Sequence, residues 1–303
     1  MTQETILGPP GTGKTQTNSN KIRNCLEKGI SPDRIACVSF TRKAAQESRQ
    51  RVCNDWGIEE RDMPYFQTLH SMAFRAGGYS TDEVVGSRDM EEIGKALGMA
   101  FGKKGRSDME SDFDTLGIAE GDFYMSQYHL ARSKSLPLEE MHRIIADYNV
   151  QWPQLKRLVA AYEDYKKARN KIDFTDMIEN FIKGGNAPYI DALFVDEAQD
   201  LSTLQWAMVD VLRERPSIQV FTGDDDQAIM GFQGADVKAF LNAEGRGGPC
   251  SVPPEPVGCP SWRGRVVSHG PDQPHCVTVC PGPSGRRLGL QPQRSPKYPN
   301  QDV

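Results

Sequence analysis

The 303-residue chain lacks any apolar run approaching the ~20 residues that a bilayer-spanning helix needs. Its first residues, Met1-Thr2-Gln3-Glu4, have none of the basic-then-apolar character of a signal peptide. These two absences predict a cytoplasmic protein with no membrane partner. A C-x-x-C pair is missing as well, and the seven cysteines form an odd set without a disulfide-scaffold pattern, which suits a reducing compartment. Bulk positive charge is also lacking: 36 Lys+Arg against 41 Asp+Glu leave a net charge of −5. That balance does not advertise nucleic-acid binding, yet a groove on an acidic protein can be locally basic. What remains, 38% hydrophobic and 25% charged residues, is ordinary for a soluble globular chain with room for two domains.

The charge is unevenly spread. Residues 1–244 carry 29 Lys+Arg and 38 Asp+Glu, whereas residues 245–303 carry 7 and 3. That last stretch holds 12 of the 20 prolines and no Ala, Ile, Phe or Met, so it has no material for a conventional core. Three readings of it stand side by side. Cys250, Cys259, Cys276 and Cys280 with His269 and His275 invite zinc, although their spacings match no finger. The other two are a disordered Pro/Gly/Arg tail and out-of-frame translation beginning near Glu244.

What organises the rest is Gly8-Pro9-Pro10-Gly11-Thr12-Gly13-Lys14-Thr15, which fits G-x-x-x-x-G-K-[ST] at every position. Glycines let backbone N–H groups close around phosphates, the lysine reaches the β/γ oxygens, and the hydroxyl holds Mg²⁺. The flanks agree, with a short apolar strand at Thr5-Ile6-Leu7 and a helix from Thr15 to Lys28 whose N-terminus faces the anion. A Gly/Pro-rich turn that binds nothing is the bland alternative. The order of all eight positions favours a nucleoside triphosphate site.

Further strands are expected at Arg34–Phe40, in Tyr65–Ser71, at Ala192–Val195 and at Ile218–Phe221, each apolar and followed by a helix or polar loop. Thr41 is placed to cap the helix that follows the second of them. Between about Gly78 and Arg169 the strand signals fade and charged helical segments take over, and Lys103-Lys104 and Lys166-Lys167 read as solvated helix surface. The expected architecture is therefore α/β: a parallel sheet flanked by helices, interrupted by an all-helical insertion. The expected divisions are 1–77 and 170–244 for the sheet domain, 78–169 for the insertion and 245–303 for the tail.

The Ala192–Val195 strand ends in Asp196-Glu197, two adjacent carboxylates suited to Mg²⁺ and to the attacking water. The Ile218–Phe221 strand ends in Thr222-Gly223-Asp224-Asp225-Asp226-Gln227, a polar loop able to sense a γ-phosphate. Phe232 beyond it is either a core aromatic or a base-stacking platform.

Five ordered blocks, GPPGTGKT, VSFTRKAA, TLHSMAFR, LFVDEAQD and TGDDDQAIMGFQGAD, make residues 5–240 resemble the N-terminal RecA-like motor domain of UvrD/Rep-type superfamily 1 DNA helicases. The resemblance implies a P-loop NTPase fold and ATP hydrolysis with Mg²⁺, coupled to 3′–5′ movement on single-stranded DNA. It implies that residues 8–15 bind nucleotide, with Lys14 on phosphate and Thr15 on Mg²⁺. Asp196 would hold Mg²⁺ indirectly, Glu197 would be the catalytic base, and Gln227 would couple the γ-phosphate to DNA. Phe40, Thr41, His70 and Phe232 would line the single-strand track, and for His70 a capping or core role stands beside that one. Departures accompany the likeness: Gln233 replaces an arginine of the family pattern, and only seven residues precede Gly8, where the family has an adenine-reading glutamine. A second motor domain, or a partner protein supplying one, is expected for translocation. The competing function class is a non-translocating ATP-binding switch or interaction module.

Overall fold

The computed structural model describes residues 2–8, 12–102, 119–146, 150–224, 235–236 and 239–240, with backbone alone at 265–266 and 276–277. Five parallel strands form its sheet: β1 (Thr2–Leu7), β2 (Ile35–Ser39), β3 (Phe66–Thr68), β4 (Ala192–Asp196) and β5 (Ile218–Gly223), in spatial order β1-β5-β4-β2-β3. β2, β4 and β5 are mostly apolar runs, as expected for strands covered on both faces. β1 starts earlier than its apolar residues suggest, because Thr2, Gln3 and Glu4 pair in register with Ile218, Gln219 and Val220 of β5.

Alternation along the strands divides the core in two. Helices α1 (Lys14–Glu27) and α2 (Arg42–Trp56) cover one face, where Ile6, Cys37, Phe66, Phe194 and Val220 meet Ile22, Cys25 and Val52. The opposite face is covered by α3 (Leu69–Ala76), then, after the insertion, by α8 (Phe174–Gly184) and α9 (Thr203–Leu212). There Leu7, Val38, Val195 and Phe221 pack against Met72, Ile178, Phe181, Trp206 and Val209. Phe240 is fully buried in this second cluster, with its ring centroid 6.5 Å from that of Trp206.

Caps mark where helices begin. The Thr41 hydroxyl accepts from the Ala44 N–H at 3.2 Å, as anticipated. Thr68 likewise accepts from Ser71 N–H at 3.2 Å, so α3 begins at Leu69 and His70 lies in a helix rather than in a strand-to-turn segment.

The insertion supplies α4 (Ser87–Leu97), α5 (Glu120–Ser133), α6 (Leu138–Ile145) and α7 (Trp152–Arg169). It has a core of its own, in which Ile93, Tyr124, Met125, Leu155, Leu158 and Tyr162 are buried. Its entry and exit are stitched together: Val85 N–H donates to Ile172 O at 2.9 Å, and Ile172 N–H to Glu83 O at 2.8 Å. One expectation fails here. Lys167 is exposed, but Lys166 is only 4% exposed. Its ammonium donates to Asp173 and Asp176 at 2.8 and 2.7 Å, and those carboxylates at the start of α8 draw it inward.

No described helix is long and apolar enough to cross a membrane. In the C-terminal stretch only a two-residue antiparallel pair, Arg265–Val266 with Cys276–Val277, is described.

Candidate active site

In a parallel sheet ligands collect at the carboxyl ends of the strands, and every sequence-predicted site residue within the described regions lies along that edge. β5 stands between the strand that ends in the phosphate loop and the strand that ends in the acidic pair. It keeps them two strand spacings apart, roughly 10 Å, about the room a triphosphate and a hydrated cation occupy.

The phosphate loop leaves β1 at Gly8, whose N–H donates to Gly223 O at 3.1 Å and so ties it to the end of β5. Pro9, Pro10 and Gly11 lie outside the described residues. Gly13 adopts φ +86, ψ 17 as it turns into α1, a left-handed conformation that favours glycine. Lys14 opens α1, is 8% exposed, and its ammonium donates to the carbonyl of Gly8. The cation is thus held over its own loop, and a phosphate would compete with a single carbonyl for it. Thr15 is half-buried beside it, and Thr12 is half-buried at the loop.

Asp196 closes β4 and is buried. Its Oδ1 accepts from Thr222 Oγ1 at 2.6 Å, and the same hydroxyl accepts from Asn18 Nδ2 at 3.0 Å. A relay of three side chains therefore runs from α1 through β5 to β4, fixing the metal-type carboxylate relative to the lysine helix. Asn18 sits one helical turn after Lys14, so both share a face of α1. Register places Ser39 beside Asp196, and its buried hydroxyl has no hydrogen-bond partner among the described residues.

Glu197 follows in a left-handed conformation, φ 52, ψ 45, which costs a non-glycine residue on the order of 1 kcal/mol. A short 3-10 turn, Ala198–Asp200, then brings two further side chains to the site. Gln199 donates to Glu197 Oε2 at 2.9 Å and accepts from the Asp224 N–H at 3.0 Å. Asp200 has its carboxyl pushed up to about 6, by burial first and by the neighbouring charge of Glu197 second, with Lys14 pulling the other way. Sequence reasoning passed over Gln199, Asp200, Thr222 and Asn18. The first three sit inside blocks whose other members carry the recognisable pattern, and Asn18 is marked only by its spacing to Lys14.

This donor set fits Mg²⁺ arriving with a triphosphate. Among the described residues no group of three or more His, Cys, Asp or Glu forms a ready cage. Mg²⁺ rarely uses such a cage, preferring one or two oxygen ligands plus phosphate and water. Thr15 and Asp196 are the residues that would hold it, and the unsatisfied Ser39 hydroxyl and Asn18 Oδ1 add polar lining.

The residues proposed for a single-strand track fall on the adjoining part of the edge. Phe40 follows β2 directly and is 39% exposed. Thr41 is exposed while its hydroxyl caps α2. His70 is half-buried and meets Phe174 edge-on, with ring centroids 5.7 Å apart. Gln227 and Phe232 lie outside the described residues.

The model of the UvrD/REP helicase N-terminal domain matches residues 2–246. The ATP-dependent DNA helicase PcrA of Bacillus subtilis is 28% identical over 255 residues, which cover 79% of this chain and 33% of that protein. Its namesake from Leuconostoc citreum is 26% identical over 253 residues, covering 79% and 33% respectively. The chain spans about a third of the length of these curated relatives. With more than three quarters of its residues matched, the chain belongs to the UvrD/REP helicase N-terminal domain family.

Proposed function

We propose that this chain is the ATP-hydrolysing half of a DNA helicase motor that moves 3′–5′ on single-stranded DNA. The observation that carries the reading is the Asn18–Thr222–Asp196 relay, which sets the metal-type carboxylate relative to the Lys14 helix across β5. Lys14 leaves the Gly8 carbonyl to bind the β/γ-phosphates, and α1 directs its N-terminal N–H groups at the same charge. Thr15 and Asp196 hold Mg²⁺, which when bound neutralises charge on the transferred phosphoryl group. Glu197 accepts the proton of the attacking water, oriented from the left-handed turn that lifts it off the strand. Gln227 senses the γ-phosphate, while Phe40, Thr41, His70 and Phe232 face the single strand, with the aromatics stacking on bases. In this reading residues 1–77 and 170–244 form the motor sheet, 78–169 an accessory insertion and 245–303 an appendage.

Phosphate release from Mg·ATP, measured with and without a single-stranded oligonucleotide, tests the proposal. Hydrolysis that rises with DNA and vanishes in Glu197→Gln is the expected result. Hydrolysis indifferent to DNA would leave an ATP-binding switch instead.

A further inference from the structure

We infer that Gln199 is a positioning residue that sets the carboxylate of Glu197 by the position of the loop leaving β5, an inference that rests on the ATPase reading above. Gln199 is 2% exposed, and both ends of its amide are engaged. The nitrogen donates to Glu197 Oε2 at 2.9 Å and, more weakly, to Asp200 Oδ2 at 3.4 Å. The oxygen accepts from the backbone N–H of Asp224 at 3.0 Å. The orientation of the amide is dictated: flipped, it would set an oxygen against two carboxylates and an NH₂ against an N–H.

The space for this side chain is made by Gly223. A Cβ there would stand 2.6 Å from the Gln199 oxygen and 2.5 Å from the ring of Phe240. Gly223 is thus small because the glutamine and Phe240 occupy the position above it. Its own carbonyl accepts from Gly8 N–H, so the end of β5 touches the phosphate loop and Gln199 together.

Two consequences follow. Glu197 sits in a left-handed turn, where nothing in the local backbone fixes the direction of a long side chain, and the buried donor of Gln199 supplies that direction. The Asp224 N–H that holds Gln199 opens the segment carrying Gln227 and Phe232. A shift of the Asp224 N–H moves the Gln199 oxygen, and the nitrogen moves the Glu197 carboxylate with it. The glutamine is held at both ends of its amide and sealed from water, so it transmits displacement. The position of the backbone leaving β5 is thereby communicated to the base. A misplacement of about 1 Å at a reacting group is enough to change a rate by about a hundredfold.

The test compares the full chain with Gln199→Leu, which removes both hydrogen bonds, and with Gln199→Glu, which keeps the shape and turns the donor into a repelling charge. Affinity for a fluorescent Mg·ATP analogue should stay within about threefold of the wild-type value. The single-turnover hydrolysis rate should fall about 10- to 100-fold, and its stimulation by single-stranded oligonucleotide should shrink toward none. A merely structural glutamine would lower the unfolding midpoint and leave the DNA stimulation where it was. A folded Gln199 variant that hydrolyses and responds to DNA as the wild type does would overturn the inference while leaving the ATPase reading intact. Absence of hydrolysis in the wild type would overturn the ATPase reading, and this inference with it.

Discussion

Lys166 of α7 donates to Asp173 at the head of α8 across 2.8 Å, and both side chains are almost sealed from water. Arg132 of α5 reaches the same carboxylate at 2.9 Å and continues to Asp176 at 2.6 Å and Glu179 at 3.0 Å. Two helices of the insertion are thus bolted to the first turns of a helix that packs on the sheet. Asp173 is also the N-cap of α8, its oxygen accepting from Asp176 N–H at 2.8 Å.

Removing one charge from such a cluster strands the others. Asp173→Asn should cost about 3–5 kcal/mol, since Lys166 and Arg132 would remain buried without their shared partner. Burial by itself raises the Asp173 carboxyl; the charges of Arg132, His129 and Lys166 outweigh it and hold the group well below the usual carboxylate range. A depressed carboxylate contributes stability that is complete above its unfolded value near 4 and drains away as pH falls further. Urea unfolding at pH 7 and pH 3 should therefore show the gap between wild type and variant narrowing in acid. A gap below about 1 kcal/mol at pH 7 would show the cluster to be ornamental.

Lys14→Ala should leave the fold in place and abolish or severely weaken binding of Mg·ATP. Asp200 feels Lys14 as its opposing charge, and Gly8 is the group that the ammonium would exchange for phosphate. A calorimetric titration reads this directly, and unchanged affinity would refute the assignment of the loop.

Glu197 allows chemistry and strain to be separated. Glu197→Gln keeps the side chain's shape and should bind nucleotide while hydrolysing about a hundredfold or more slowly. Because φ at this residue is +52, Glu197→Gly should be about 1 kcal/mol more stable than Glu197→Ala, although both lose the carboxylate. Urea midpoints compare the pair, and equal midpoints would mean that the turn relaxes to another conformation when the acid is gone.

Asp200 gives a pH signature of opposite sign to that of Asp173. Its carboxyl is raised to about 6 by burial and by Glu197, so the folded chain binds that proton more tightly than the unfolded chain does. The associated stability is present below the unfolded value and is lost as pH rises through about 6. Asp200→Asn should accordingly be more stable than wild type at pH 8, by about 1 kcal/mol once solvent screening is allowed for, and that advantage should shrink as pH falls below about 6 and be gone below about 4. An advantage that does not depend on pH would place its origin in packing.

The parts of this site that were legible in the sequence are those dictated by local chemistry. Gly13 takes a left-handed turn that favours glycine, Lys14 opens the helix just beyond it, and an apolar strand ending in Asp196-Glu197 announces its carboxylates. The positions of β2, β4 and β5 were legible too, since buried parallel strands are mostly apolar runs. What stayed hidden depends on which strands become neighbours. Thr222 bonds to Asp196 because β5 lies next to β4, and no local pattern encodes that order. Lys166 failed for a related reason. Its sequence neighbours are charged and helical, and only the approach of Asp173 and Asp176 from α8 makes burying it tolerable.

The last prediction concerns what these 303 residues do when expressed by themselves. Unwinding by a motor of this kind needs two domains closing on nucleotide, so that each cycle changes their separation along the strand. The described residues contain a single five-stranded sheet, and its nucleotide edge is lined by one loop lysine and several carboxylates. Phosphoryl transfer is usually assisted by an arginine brought in from an opposing surface, worth about 10³–10⁵ in rate. Without one, basal hydrolysis by the isolated chain should be slow. Single-strand affinity should be weak and should fall steeply with salt, since phosphate contacts from one domain must carry it. A strand-displacement assay on a 3′-tailed duplex, with the chain at concentrations where it is monomeric, should show no ATP-dependent unwinding, and adding the second motor domain of a relative in trans should raise the hydrolysis rate. Robust unwinding by the monomer would require a second motor surface somewhere in residues 241–303, whose composition, without Ile, Phe or Met, argues against one.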